Sequence, residues 1–145
     1  MFDHLIGNER IKDALQHLVK TNRVPHSLLF AGPDGIGKRQ FALELARWFV
    51  CQSKKDGAAC GDCGACRRAG RFEIPKPDKK DDFKQIFFSQ HPDVGSVVPY
   101  NRNILVDAIR ELEKEANFRP YEADARIFLI DDAEKMNDAA ANALL

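Results

Sequence analysis

Ser27-Leu28-Leu29-Phe30-Ala31-Gly32-Pro33-Asp34-Gly35-Ile36-Gly37-Lys38-Arg39-Gln40 is the stretch whose reading decides the fold. Its first five residues form a brief apolar run ending at a glycine cluster, the pattern of a short buried strand. Gly32 to Lys38 then spells G-x-x-x-x-G-K. From Lys38 onward the apolar residues Phe41, Leu45, Trp48 and Phe49 return at helical spacing. Strand, glycine loop and helix in that order is the context of a phosphate-binding loop. Gly32, Gly35 and Gly37 let backbone N–H groups turn inward around a phosphate, the helix N-terminus adds partial positive charge, and Lys38 reaches toward the outer phosphates. The plainer reading is a glycine-rich turn carrying a surface lysine.

One residue departs from the pattern of a working ATPase. Ser or Thr normally follows the lysine and gives a hydroxyl to Mg²⁺, whereas here Arg39 follows. A guanidinium has only donors and a fixed positive charge, so it cannot ligate a cation. The expectation is a loop that holds phosphate beside a compromised magnesium site.

At 145 residues the chain is long enough for one domain with a true core. It is 44% hydrophobic and 30% charged, and its 22 basic and 22 acidic residues cancel. No global basic field therefore argues for nucleic acid. Arg67, Arg68 and Arg71 are too few to carry such an interaction alone. The N-terminal residues lack a signal-peptide apolar core, and no run reaches membrane-spanning length, so a cytoplasmic location is expected.

The four cysteines all lie in Cys51-x8-Cys60-x2-Cys63-x2-Cys66. Small intervening residues let such a segment curl around one ion, and four thiolates suit tetrahedral Zn²⁺ in a structural role. An iron–sulfur cluster shares the C-x2-C-x2-C spacing, but the fourth cysteine lies upstream and no Cys-Pro follows Cys66. Free thiols or disulfides are the remaining readings. Residues 51–66 are thus expected to form a zinc module, and the mixed charges and prolines of 67–90 an exposed insertion, with Phe83 to Phe88 pinning its far end.

Elsewhere, Asn8 reads as the cap of a helix with Ile11, Leu15, Leu18 and Val19 on one face. His26 reads as a structural residue. Val94 to Val98 reads as a short strand, and Asn103 as the cap of a helix with Val106, Ile109, Leu112 and Ala116 inward. Arg126 to Ile130 reads as a central parallel strand delivering Asp131. An acid at the end of such a strand, beside a phosphate loop, is the second half of a nucleotide site. Asp131 merely capping the next helix is the alternative. Residues 138–145 read as an unfinished helix, which suggests a chain cut short.

These parts resemble the AAA+ domain of bacterial sliding-clamp loaders, with its delta-prime and gamma/tau branches of DNA polymerase III. The match rests on Ile6-Gly7-Asn8, Arg23 to Ser27, Gly32 to Lys38, the four cysteines, His91-Pro92-Asp93 and Ile127 to Leu145. The resemblance implies a P-loop NTPase fold with a parallel sheet flanked by helices, partial over 1–145 and C-terminally truncated. It places Ile6 and Gly7 at the adenine, the loop around Lys38 at the phosphates and Asp131 at the magnesium. Asp132 falls where the family has a catalytic glutamate, one methylene short. Both departures point to a delta-prime-like stator without ATPase activity of its own, the alternative being an active gamma/tau-like ATPase. ATP is the implied ligand and Zn²⁺ the implied structural metal. The implied partners are gamma/tau and delta subunits in a pentameric ring within the polymerase holoenzyme, and, through it, the sliding clamp and primed DNA, with no membrane. In the family sheet a later strand lies between the 27–31 strand and the Asp131 strand, so those two are expected to leave unpaired backbone between them.

Overall fold

Alternation along two short strands sets the architecture. In a computed structural model describing residues 1–145, β2 (Val94–Val97) runs parallel to β3 (Ile127–Ile130), with Val94 opposite Ile127 and Val97 opposite Ile130. Side chains two apart share a face. Val94, Ile127 and Leu129 accordingly meet Leu43, Ala46 and Val50 of α2 (Lys38–Val50) and Ala65 and Ala69 of α3 (Gly64–Ala69). Val97, Phe128 and Ile130 meet Ile109 and Leu112 of α4 (Val106–Ala116) and Ala140 of α5 (Asp138–Leu144) on the other face. The result is a sheet between two helical layers. The first helix, α1 (Glu9–Lys20), packs outside α2 through Leu15 on Phe41 and Val19 on Leu45 and Trp48.

The structure corrects several expectations. The sheet is mixed rather than parallel, because β1 (Phe87–Phe88) joins β2 antiparallel through the loop 89–93, and β2 is the central strand. The strand ending at Ile130 is an edge strand, half-exposed except for Leu129. Ser27 to Ala31 forms no ladder and makes no backbone–backbone hydrogen bond, and Leu29 is 81% exposed. The physical reason is pairing: an apolar run becomes a strand only beside an edge, and the 27–31 segment lies beside none.

The two asparagines proposed as caps fare differently. Asn8 does stand at the N-cap of α1, in the left-handed region, but its side chain makes no capping bond and donates to the Ile36 carbonyl at 3.4 Å. Asn103 sits in a turn with Tyr100, and α4 begins only after Leu105. Ile11 is 46% exposed on α1. On α4, Ala116 is exposed and Ala108 takes the inward place. The exposed stretch is narrower than 67–90. Continuous exposure runs only from 73 to 81, because α3 packs one end into the core and Phe83, Ile86 and Phe87 bury the other. Residues 138–144 are helical as read, with Asn137 accepting from the Ala140 N–H at 2.9 Å.

Candidate functional site

The glycine loop approaches the end of β3 because α2 lies across the sheet face that carries Asp131. Gly35 and Gly37 have φ of +77° and +97°, a region where a Cβ is strained, so the turn into α2 requires glycine at both. Gly37 leads directly into α2 with Lys38 as its first residue. The Lys38 ammonium is folded back on its own loop. It donates to the Gly32 carbonyl at 2.6 Å and the Pro33 carbonyl at 3.4 Å, and lies 3.6 Å from Asp34.

Arg39, one residue further, reaches Asp131. Its Nη1 donates to the Asp131 carboxylate and, at 3.3 Å, to the Ser96 hydroxyl. Alternation explains the meeting. Ser96 follows Val94 by two on β2, and Asp131 follows Leu129 by two after β3, so all four side chains share the α2 face. The arginine's other side faces the ring of Phe72, with Cζ 5.2 Å from the centroid. A fixed cation thus occupies the Asp131 carboxylate.

The structure brings Gly32, Gly35, Gly37, Lys38, Arg39 and Asp131 into one region. Asp132 is separate from them, in the left-handed conformation, with its carboxylate 3.2 Å from Lys135 in its own turn. Ile6 is 97% exposed beside Gly7, and Asn8 ties this segment to the loop. His26 is exposed. Sequence reasoning missed Ser96 and Phe72. A serine at the buried centre of an otherwise apolar strand was the available signal for Ser96, whereas Phe72 carried none.

The four cysteines form a second constellation. Cys51 follows the end of α2, Cys63 caps α3 and Cys66 lies on the buried face of α3. All are free thiols, and the four Sγ atoms lie within 4.8 Å of one another. Thiolates around one tetrahedral metal sit about 3.8 Å apart, given Zn–S bonds of about 2.3 Å. The Cys51 and Cys60 sulfurs are already 3.6 Å apart. Backbone N–H groups of Cys60, Cys63 and Cys66 point at the sulfurs of Cys51, Cys60 and Cys63, at 3.3, 3.3 and 3.4 Å. The Cys63 N–H foremost holds the Cys60 thiol below its usual range. Burial opposes ionisation of Cys63, yet N–H groups of Cys66 and Gln52 help bring it down to about 6. Burial pushes Cys66 the other way. Such sulfurs fit a cation that compensates the buried thiolate.

A third cluster holds the loop before β3. Asp93, fully buried, accepts the N–H groups of Tyr121, Glu122 and Ala123 at 2.7, 2.8 and 2.9 Å. Burial opposes its charge, but these three donors keep its carboxyl below the usual range. His91 accepts the Asp93 N–H on Nδ1 at 3.2 Å, which leaves its proton on Nε2, 3.6 Å from Glu122. Burial lowers the His91 pKa, with the Glu122 charge pulling the other way. Glu122 in turn takes a bidentate bond from Arg68 of α3, at 3.1 and 2.6 Å.

A model of the DNA polymerase III, delta subunit family matches residues 7–145. The delta-prime subunit of Bacillus subtilis is 30% identical over 136 residues, covering 94% of this chain and 36% of that protein. The delta-prime subunit of Escherichia coli is 30% identical over 130 residues, 87% of this chain and 33% of that one. The gamma/tau subunit of Mycobacterium tuberculosis is 29% identical over 144 residues, 99% of this chain and 22% of that one. The chain therefore spans about a fifth to about a third of these relatives. No helix is long and apolar enough to cross a membrane. With the family model matching nearly the whole chain, the resemblance read from the motifs is borne out: the chain belongs to the DNA polymerase III delta-subunit family.

Proposed function

We propose that the chain is the nucleotide-site portion of a delta-prime-like clamp-loader subunit, built on an AAA+ P-loop fold. In this reading it organises the ring of gamma/tau and delta subunits that loads a sliding clamp on primed DNA, and does not itself hydrolyse ATP. The observation that carries the reading is the Arg39 guanidinium on Asp131 and Ser96. Mg²⁺ needs oxygen ligands in near-octahedral array. Here the hydroxyl ligand is replaced by a cation, and that cation engages the remaining carboxylate. Asp132, bound to Lys135, is correspondingly distant in role from a base that activates water. The loop still offers its glycines and Lys38 to a phosphate, and Ile6, exposed beside Gly7, offers apolar surface to a base. ATP held in this way meets a cradle without its metal.

The four thiols are read as the site of one structural Zn²⁺, since four protein ligands leave no open position for chemistry. That ion would anchor the C-terminal end of α2 to α3.

The experiment is ATP turnover by the full-length protein, alone and reconstituted with its partner subunits, in wild type and Lys38→Ala. The stator reading expects no turnover alone and no loss in the assembly on mutating Lys38. Turnover abolished by Lys38→Ala establishes the alternative, an active gamma/tau-like ATPase.

A further inference from the structure

Phe72 is the one side chain at the Arg39–Asp131 contact that comes from outside the strands and helices framing it. It lies three residues past the end of α3, and its ring is half-buried against the core layer that includes Ala65 and Ala69. Its backbone is fixed on the N-terminal side, where the preceding residue, Arg71, donates to the Arg68 carbonyl at 3.1 Å and accepts from the Gln90 N–H at 2.9 Å. Beside it, the Arg47 guanidinium lies over Gly70, where a Cβ would come within 2.4 Å of it. The ring is therefore placed by the cysteine module, and the face it presents is the one under Arg39.

An arginine that is one-third exposed on α2 has many rotamers available and loses entropy when held in one. A planar guanidinium keeps its in-plane N–H donors free while its face stacks on a ring. Phe72 below and Asp131 with Ser96 at the edge satisfy both surfaces of the same group. Resting on the reading of Arg39 given above, we propose that Phe72 is a positioning residue: its ring holds the guanidinium on Asp131 and so keeps that carboxylate closed to divalent cations.

The test is a Mn²⁺ titration of the full-length, metal-loaded protein, followed by paramagnetic broadening of the amides of Ser96 and of 129–131, with Arg39 side-chain N–H signals recorded in parallel. Wild type is expected to show only weak Mn²⁺ broadening, which sets the reference affinity, and slowed guanidinium rotation. Arg39→Ser removes the internal cation and admits Mn²⁺. Phe72→Leu keeps an apolar filler but no ring face. It is expected to speed guanidinium rotation and raise Mn²⁺ affinity roughly 5- to 30-fold over wild type, the ratio implied by loss of one cation–π contact. Phe72→Tyr restores the wild-type pattern. If Arg39→Ser excludes Mn²⁺, the reading of Arg39 as a metal substitute falls. If Arg39→Ser admits Mn²⁺ while Phe72→Leu matches wild type in both measurements, only the role of Phe72 is overturned.

Discussion

Asp93 shows how much one carboxylate organises. It is buried, yet its charge is spread over three backbone donors from the segment that leads into β3. Arg126, also buried, lies 3.8 Å from it and bonds Glu115 at 2.9 Å. Asp93→Asn keeps the shape but removes the charge, and places an amide donor among three N–H groups. The expected loss is about 3 kcal/mol in denaturant-unfolding free energy. The pH dependence has a definite sign. His91 and Asp93 both have lowered folded pKa values, so each binds fewer protons folded than unfolded. Stability should be full above about pH 6.5, fall as His91 is forced to charge, and fall again below about pH 4 as Asp93 protonates. Tm measured from pH 8 to pH 3 should show both steps in wild type and a smaller lower step in Asp93→Asn, since Glu122 beside Arg68 and Asp81 beside Lys84 are also held below the usual carboxyl range.

At the scale of elements, β2 is tight because it is crossed on both sides. A Cβ at Gly95 would meet Ile86 Cγ2 at 2.6 Å and the rings of Phe128 and Phe88 at 3.2 and 3.3 Å. Gly95→Ala should therefore cost about 1–3 kcal/mol through overpacking, visible as a lowered denaturation midpoint with unchanged slope. The same strand explains what could be read in advance. The existence of β2, β3, α1, α2, α4 and α5 was legible because each carries its own periodicity. The two-residue strand β1 was not, since Phe87–Phe88 becomes a strand only by meeting Ser96 and Gly95. Likewise 27–31 carries a strand's composition without a strand's partner, and composition cannot supply one.

For the whole molecule, the cysteine module joins layers that are otherwise separate. It closes the end of α2 through Cys51, turns Cys66 of α3 into the core, and α3 in turn reaches the loop before β3 through Arg68 and Glu122. On the reading of these thiols as a Zn²⁺ site, removing the ion should loosen more than a local loop. Cys60→Ser and Cys63→Ser are each expected to lose one bound Zn²⁺ by elemental analysis and to lower thermal stability, at roughly 2–4 °C per kcal/mol for a chain near this size. An iron-containing, coloured preparation, or retention of the ion in both variants, contradicts the assignment.

The order of residues alone determined the glycine loop, the cluster of four thiols, the acid after an apolar strand and the arginine where a hydroxyl is expected. These are local signals, set by spacing along the chain. Folding decided which of them meet: Arg39 and Asp131 are 92 positions apart and touch only because two strands pair and α2 lies across one face of them. Asn8 stands at the N-cap of α1 as its residue type suggests, but folding sent its side chain to a distant carbonyl, and it placed Asn103 in a turn ahead of α4.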